Sequence, residues 1–196
     1  IYLDGSDSNI IQNNNITNTS WGGIVLGSFS YADTVENNTI RGNQSEGQIV
    51  ISGFSGNHYF INNDLLGTGP IKIGDSTSSS YHSTLIYNNS FGGIYWDLEN
   101  LTTAMNLSVG ETIFLESNNV GLIDSADSQN LNGTATVKIN GLSFATTPHL
   151  NKSGIGICDW NNTCNISSYE GGILTAVVSS FSNYTASNNT APTFSA

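Results

Sequence analysis

Positive charge is scarce in this sequence. Lys and Arg number 4, against 15 Asp and Glu, and the formal net charge is −11. Nucleic acids and anionic membranes attract positive protein surfaces, so this balance argues against both as partners. Charged residues make up 10% of the chain, against about 25% in an ordinary soluble domain. Such a composition is typical of a secreted or cell-surface protein.

Long apolar runs and an initial Met are missing as well. No stretch is apolar enough for a transmembrane helix, so we expect no membrane insertion by this segment. We interpret the start at Ile1 as that of a mature or excised product whose targeting segment has been removed. Residues 188–196 are expected to form a polar linker or tail.

Cysteine is limited to Cys158 and Cys164. Two thiolates do not complete a tetrahedral zinc site, and neither His82 nor His149 has metal-motif spacing to them. A redox pair is usually closer, as C-x-x-C. The sequence therefore predicts a structural disulfide that closes the loop between the two residues, and an oxidising compartment.

Helical periodicity is absent. An eight-residue motif, called the repeated phrase below, occurs four times instead. In each copy an Asn pair follows an apolar residue two places back, and another apolar residue comes three places after the first Asn. Apolar triplets such as Ile24–Leu26 and Ile49–Ile51 recur at the same interval as the phrase. The period is roughly 22 to 26 residues, the length of a solenoid repeat. The copies are NIIQNNNI (9–16), DTVENNTI (33–40), HYFINNDL (58–65) and TLIYNNSF (84–91).

Apolar residues two places apart within each repeat indicate strands, and the Gly, Ser, Asn and Asp between them leave no room for a helix. We therefore predict an all-β protein whose residues 1–120 form a right-handed parallel β-helix of four to six coils. Neighbouring coils would bury one another's apolar residues. Asp97–Gly110 breaks the register and is expected to begin closing the helix end. Glu111–Val120 is predicted to be a last, degenerate coil.

The Asn pairs have a mechanical explanation at the corners of such coils. A sharp corner requires a left-handed backbone conformation, and Asn is the commonest residue there after Gly. Equivalent Asn residues of successive coils lie one strand spacing apart, about 4.8 Å, so their amides can hydrogen-bond along the axis. We predict that the second Asn of each pair forms this ladder: Asn14, Asn38, Asn63 and Asn89.

Asn-x-Ser/Thr triplets occur throughout the chain. Part of their density follows from the abundance of Asn, Ser and Thr, yet several lie in turn-like stretches where a glycan has room. We expect N-glycosylation at several of them. The candidates are Asn15, Asn18, Asn37, Asn43, Asn88, Asn100, Asn106, Asn132, Asn151, Asn161, Asn165, Asn183 and Asn188.

Catalytic patterns are weak. β-Helix enzymes that cleave polysaccharides use paired carboxylates, or carboxylates with calcium and a base. The acidic residues here do not recur at one position of the repeat. Asp33 and Glu36 could point outward near a corner. Asp97 and Glu99 are two residues apart, the spacing that places both side chains on one face of a strand. The acidic candidates are Asp4, Asp33, Glu36, Asp64, Asp75, Asp97 and Glu99.

Histidines add no catalytic pattern, because His58 and His82 precede the repeated strands with no nucleophile at a meaningful spacing. We predict no catalytic residue, no metal site and no cofactor. The one exception left open is a structural calcium ion.

The second half of the chain carries a spaced set of features: Gly141-Leu-Ser-Phe144, Pro148-His-Leu150, the Cys158/Cys164 loop, Ile166, Tyr169, Gly171-Gly172, Leu174, Val178 and Phe181-Ser-Asn-Tyr184. This set resembles a C-terminal module that follows parallel β-helix repeats in cell-surface proteins of archaea. We expect residues 121–187 to form a small β-sandwich-like module, with strands at Thr134–Ile139 and Leu174–Val178. The coils are similar to the broad right-handed β-helix class that includes pectate-lyase-like and NosD-like proteins. The resemblance implies fold and cell-surface location more than activity.

Two functions of different classes fit these patterns. The first is a structural surface protein that polymerises head to tail into a filament, sheath or surface lattice, because the first coil has no cap in the sequence while the other end carries a module. The alternative is a carbohydrate-binding or polysaccharide-cleaving β-helix, with glycans as partners and exposed rings as the binding surface. Tyr95 and Trp96 are neighbours on a strand, so one of them must face outward. The aromatic candidates are Trp21, Tyr31, Tyr59, Tyr81, Tyr87, Tyr95 and Trp96.

Overall fold

The computed structural model describes residues 1–19, 21–42, 47–76, 82–99, 102–123, 129–159 and 162–188. These residues form strands and turns, with a single short 3-10 helix among them at Gln129–Asn132. The all-β prediction is confirmed. Within this part of the chain, no helix has the length and apolar character needed to cross a membrane.

Short strands follow one another along the described chain. They are β1 Tyr2–Leu3, β2 Ile10–Gln12, β3 Asn15–Thr17, β4 Ile24–Leu26, β5 Thr34–Glu36, β6 Thr39–Arg41, β7 Ile49–Ile51, β8 Tyr59–Ile61, β9 Asp64–Leu66, β10 Ile73–Asp75, β11 His82–Asn89, β12 Gly92–Glu99, β13 Ile113–Glu116, β14 Asn119–Leu122, β15 Ala135–Ile139, β16 His149–Lys152, β17 Gly156–Ile157, β18 Cys164–Glu170, β19 Ile173–Val178 and β20 Asn183–Ser187.

Strands β1 to β11 build a parallel β-solenoid. Each full turn contributes one strand to each of three sheets: sheet A has the order β1-β4-β7-β10, sheet C has β3-β6-β9, and sheet B begins with β2-β5-β8-β11. The solenoid prediction is confirmed, but with about three turns where four to six coils were expected. Strands β10 and β11 begin a fourth turn that is not completed.

Stacking of equivalent residues fills the solenoid interior. Ile11, Val35 and Phe60 pair in register in sheet B and point inward. Val35 and Phe60 are 0% exposed, whereas Ile11 in the first turn is covered from one side and retains 7% exposure. Because a turn buries its apolar residues against its neighbours, no single turn is stable alone.

The fourth copy of the repeated phrase does not form a corner. The chain turns between sheets B and C at Asn13, Asn37 and Asn62, which all have positive φ. Strand β11 instead runs straight through Asn88 and Asn89 and returns as β12 in an antiparallel hairpin.

Register explains the position of Asn89. Leu85, and not Ile86, pairs with Phe60, and a one-residue change of register reverses which side chains face inward. The predicted place of Asn89 in the ladder is therefore wrong: its Nδ2 donates to Leu115 O at 2.9 Å.

The far end of the solenoid is covered by residues 102–109. Thr103 N donates to Ile73 O, and Leu107 N donates to Leu65 O, both at 3.0 Å. The segment thus pairs with the last strands of sheets A and C, and Leu107 is fully buried. The expectation that Asp97–Gly110 begins to close the helix end is confirmed for residues 102–109, whereas Asp97 to Glu99 still belong to β12 and stay in register with β11.

Every strand pair from β12 onward is antiparallel. Sheet B continues from β11 through β12, β15 and β19 to β18, and a five-stranded sheet D has the order β13-β14-β20-β16-β17. Strands β13 and β14 of sheet D pack against β11, β12 and β15 of sheet B. This two-sheet arrangement is the expected C-terminal β module, although its division from the coils at residue 120 stays a prediction.

Two sequence-based expectations in this half are settled by the strand positions. The strands predicted at Thr134–Ile139 and Leu174–Val178 are β15 and β19. The degenerate coil predicted at Glu111–Val120 is wrong, because β13 and β14 form an antiparallel hairpin there.

The disulfide between Cys158 and Cys164 is confirmed, with an S–S distance of 2.02 Å. Cys158 is fully buried and Cys164 nearly so. The bond closes the loop that leads into β18.

Candidate functional site

The corner between sheets B and C carries a hydrogen-bonded Asn ladder. Asn14 donates from its backbone N–H and from Nδ2 to Oδ1 of Asn38, at 2.9 and 3.0 Å. Asn38 donates from the same two groups to Oδ1 of Asn63, both at 3.0 Å. Asn38 and Asn63 are each 1% exposed, so the ladder belongs to the interior.

Backbone groups are tied into the ladder as well. Asn38 Nδ2 also lies 2.9 Å from Ile11 O and 3.0 Å from Glu36 O, so its two hydrogens are shared among three acceptors. At the closed end, the Tyr87 hydroxyl donates to Asn63 O. Burial raises the pKa of Tyr87 well above its ordinary value, so this hydroxyl keeps its proton.

A second polar column, which the sequence patterns did not predict, lies at the corner between sheets A and B. Asn9 donates from its backbone N–H and from Nδ2 to Oδ1 of Asp33, both at 2.8 Å. The Asp33 N–H donates to Nδ1 of His58 at 3.3 Å. Asp33 was expected to point outward, yet both Asp33 and His58 are 0% exposed. Their common place as the first residue of a repeated phrase was the available signal.

The two corners share one design. In each, a residue in left-handed conformation turns the chain, and the next residue points its polar side chain into the axial column. The left-handed residues are Ser8, Ala32 and Asn57 before the second column, and Asn13, Asn37 and Asn62 before the ladder.

His58 also contacts Ser55, which gives this corner the residue types of a hydrolase triad. His58 Nε2 lies 2.7 Å from Ser55 Oγ, and His58 Nδ1 lies 3.5 Å from Asp33 Oδ2. The sequence spacing had singled out no nucleophile for His58, and the structure places the Ser55 hydroxyl beside it.

Hydrogen-bond direction opposes a hydrolytic role. Because Nδ1 accepts the Asp33 N–H, the ring proton of neutral His58 is on Nε2 and is donated to Ser55 Oγ. Ser55 Oγ in turn donates to Ser30 O at 2.8 Å. A general base has to accept the serine proton, and here the ring donates to serine instead. Since all three side chains are also 0% exposed, this group holds the corner together.

The near end of the solenoid is open. Strands β1, β2 and β3 each have a neighbouring strand on one side within the described structure. Ile1, Tyr2 and Ile10 are 50%, 59% and 65% exposed there. Unpaired strand edges beside exposed apolar side chains are a common site of association.

Both polar columns finish at this open end with hydrogen-bond acceptors. The Nδ2 hydrogens of Asn9 are used by Ser6 Oγ and Asp33, and those of Asn14 by Gln12 O and Asn38. No donor in the described part of the chain reaches Oδ1 of Asn9 or of Asn14.

The acidic candidates lie in different environments. Asp97 lies beside His82 at the surface, with Asp97 Oδ1 3.1 Å from His82 Nδ1. Asp64 accepts a hydrogen bond from Ser108 Oγ at 2.9 Å. The side chain of Glu99 lies outside the described part. Of the others, Asp4 is exposed, Glu36 and Asp75 are half-buried, and Asp33 is buried.

Two of the four basic residues are internal. Lys72 Nζ donates to Gly69 O and Lys152 Nζ to Ser180, and burial lowers the pKa of both amines. Lys138 lies over the Tyr95 ring, with Nζ 4.8 Å from its centroid. Arg41 is exposed. The surface is therefore even more acidic than the composition indicates.

The aromatic candidates do not share one face. Tyr87 and Trp96 are fully buried, Tyr95 is half-buried, and Trp21 and Tyr59 are exposed. Trp96 faces inward and Tyr95 outward, as their neighbouring positions required. Tyr31 is half-buried, and Tyr81 lies outside the described residues.

An exposed aromatic pair was missed. Phe29 and Phe54 stack with centroids 5.8 Å apart and an interplanar angle of 23°, and they are 61% and 52% exposed. Each follows an apolar triplet by three residues, in Leu26-Gly-Ser-Phe29 and Ile51-Ser-Gly-Phe54, which was a detectable signal.

The glycosylation candidates differ in exposure. Asn43, Asn100 and Asn161 lie outside the described residues. Asn106, Asn132, Asn151 and Asn183 are half-buried, whereas Asn15, Asn18, Asn37, Asn88, Asn165 and Asn188 are exposed.

One cluster near the C-terminus has the composition of a metal site. The ligand atoms of Cys158, Asp159 and Cys164 lie within 4.8 Å of one another. Both sulfurs are committed to the disulfide, and Asp159 Oδ2 lies 2.7 Å from His149 Nδ1. These groups satisfy one another and hold the loop before β18.

Comparison with protein-family models, with curated proteins and with solved structures gives no match. The resemblance to archaeal surface proteins, and to pectate-lyase-like and NosD-like coils, therefore stays a prediction. What is established is the class: an all-β protein with a parallel β-solenoid of about three turns, a C-terminal β module and one disulfide.

Proposed function

We propose that this chain is a structural protein of the cell surface or extracellular space that associates head to tail into a filament, sheath or surface lattice. The observation that carries the proposal is the solenoid itself, whose turns stack through parallel strands and axial Asn hydrogen bonds. Such a stack has a direction along its axis, so its two end faces are unlike, and residues 102–109 lie against one of them. A contact between unlike ends repeats without limit unless it closes into a ring.

Composition and covalent structure support this location. A disulfide suits an oxidising compartment, and few basic groups reach the surface. The exposed sequon residues would carry glycans in such a compartment. An interior joined by an Asn ladder also suits a building unit.

Sedimentation velocity on the purified protein tests the proposal. We expect average mass to rise continuously with protein concentration, with filaments or sheets visible by electron microscopy at the upper end. A single species with the mass of one chain at every concentration would contradict polymerisation.

Carbohydrate binding is a second candidate, favoured by the Phe29 and Phe54 rings. The Tyr2 hydroxyl and the Asp4 carboxylate both lie beside Gly27, which precedes Phe29 by two residues in the sequence. Exposed rings together with a few polar groups are typical of ligand-binding surfaces.

Titration with a panel of soluble polysaccharides tests this second candidate. Replacing Phe29 and Phe54 with Ala should weaken binding about tenfold, whereas Phe91→Ala, another exposed ring, should leave it unchanged. Equal binding by both variants would rule out the Phe pair as the site.

A further inference from the structure

We propose that the Phe29 and Phe54 rings bind a carbohydrate chain whose sugars carry protonated amines. The inference rests on the second candidate function above, carbohydrate binding, and names the class of sugar. The rings lie on the side of the solenoid, in the loops that lead from sheet A to sheet B. Phe29 N donates to Phe54 O at 3.0 Å, and on the other side of Phe29 the Gly5 N of the preceding turn donates to Ser28 O at 2.9 Å.

Both rings are held at the surface by their loops. Phe29 has a φ of 61°, a left-handed conformation that bulky residues adopt rarely. Gly53, with a φ of 72°, precedes Phe54, and a Cβ at Gly53 would collide with the Ser28 side chain. The loops therefore adopt unusual conformations and still leave the two rings 61% and 52% exposed. Strained residues of this kind cluster at ligand-binding sites.

Asp4 and Asp7 of the preceding turn lie against the loop that carries Phe29. Asp4 Oδ1 lies beside Gly27, two residues before Phe29. Asp7 Oδ1 accepts a hydrogen bond at 2.9 Å from the N–H of Tyr31, two residues after Phe29. Both carboxylates are exposed. Because two residues of extended chain span about 7 Å, a sugar chain that covers the Phe29 ring is long enough to reach both carboxylates.

Basic side chains lie elsewhere in the molecule. Arg41 ends β6 in sheet C, Lys138 lies over the Tyr95 ring, and Lys72 and Lys152 are buried. The chain has no other Lys or Arg, and its net charge is −11. The field around the Phe pair therefore attracts cations and repels anions. Polysaccharides built from uronic acids or sulfated sugars are unfavourable ligands for this surface.

An amino sugar matches both the rings and the carboxylates. Its apolar face stacks on an aromatic ring, and its ammonium group is attracted to the face of such a ring and to a carboxylate. A neutral sugar gains the stacking alone. It also brings no charge to offset the water that Asp4 and Asp7 lose on binding.

Matched oligosaccharides test the sign of the charge. Wild-type protein is titrated by calorimetry with oligomers of glucosamine, of N-acetylglucosamine and of galacturonic acid, all of equal length and at a pH that keeps the amines protonated. N-acetylation removes the charge and keeps the sugar ring. We expect the glucosamine oligomer to bind about tenfold more tightly than its N-acetylated form and to lose affinity as salt is added. The galacturonic acid oligomer should not bind.

The unmodified protein already separates this inference from the function on which it rests. Equal binding of the glucosamine and N-acetylglucosamine oligomers would overturn the inference and leave carbohydrate binding standing. Binding of other members of the polysaccharide panel without binding of the glucosamine oligomer would do the same. Absence of binding by these oligomers and by the whole panel would overturn both.

Charge-neutralising variants locate the site. Asp4→Asn and Asp7→Asn keep the size of the side chain, and Asn retains an oxygen that can accept from Tyr31 N. The double variant should bind the glucosamine oligomer about tenfold more weakly and the N-acetylated oligomer as well as wild type does. Glu111→Gln with Glu116→Gln, at two exposed acidic positions elsewhere, is the matched control for net charge. An equal loss of binding in the control would overturn the site.

A basic polypeptide is the competing partner, because lysine side chains also carry ammonium groups. Oligolysine with the same number of charges has no sugar ring to stack on the Phe pair, so it should bind more weakly than the glucosamine oligomer. Oligolysine that binds as tightly as the glucosamine oligomer, and loses that binding in Phe29→Ala but not in Phe91→Ala, would assign the surface to a basic protein segment and overturn the amino-sugar proposal.

Discussion

Replacing Asn38 with Ala is expected to lower the free energy of unfolding by about 3 kcal/mol or more. Asn38 accepts from Asn14 and donates to Ile11 O, Glu36 O and Asn63 Oδ1. Alanine removes all of these side-chain bonds from the buried column, although the residue-38 N–H still donates to Asn63 Oδ1. Each lost side-chain bond costs about 1 kcal/mol. Chemical denaturation followed by tryptophan fluorescence measures the loss.

Asn15→Ala is the matched control, because Asn15 is an exposed residue of the neighbouring strand. Its effect should lie within about 0.5 kcal/mol, as for most surface substitutions. Equal unfolding free energies for the two variants would show that the ladder contributes nothing measurable.

Acidification is expected to destabilise the protein through His58. Burial lowers the pKa of His58 below its ordinary value of 6.5, while Asp33, Asp75 and Asp7 oppose the shift. The unfolded chain therefore takes up this proton more readily than the folded one. The stability that depends on neutral His58 is complete above about pH 6.5 and is lost as the pH falls through the folded pKa. The loss is about 1.4 kcal/mol for each unit by which the pKa is lowered.

His58→Asn should flatten this dependence, since Asn does not titrate and retains polar groups for the column. His82→Asn is the control: His82 is exposed and its replacement should leave the His58 contribution in place. The measurement is the unfolding free energy at neutral and at acid pH for the three proteins. If wild type and His58→Asn lose the same stability on acidification, His58 is not the responsible group.

Several features of this protein are determined by the sequence itself, because they depend on neighbouring residues and on a regular period. Apolar residues two places apart give inward faces such as Val35 in β5, and Asn13 and Asn37 turn the corners because Asn adopts positive φ readily. Their repetition after 24 and 25 residues sets Asn14, Asn38 and Asn63 one above another. The disulfide could be predicted because Cys158 and Cys164 have no other partner.

Other features were decided by the tertiary structure alone. TLIYNNSF repeats the phrase, yet β11 pairs with β12 and moves out of the frame by one residue, so Asn89 leaves the ladder. His58 meets Asp33 only because the coils bring positions 25 residues apart into contact. Whether sheet B ends at β11 or continues to β18 depends on which strands, distant in the sequence, pair with each other. Local sequence does not specify that choice, because the backbone groups that pair strands are the same in every residue.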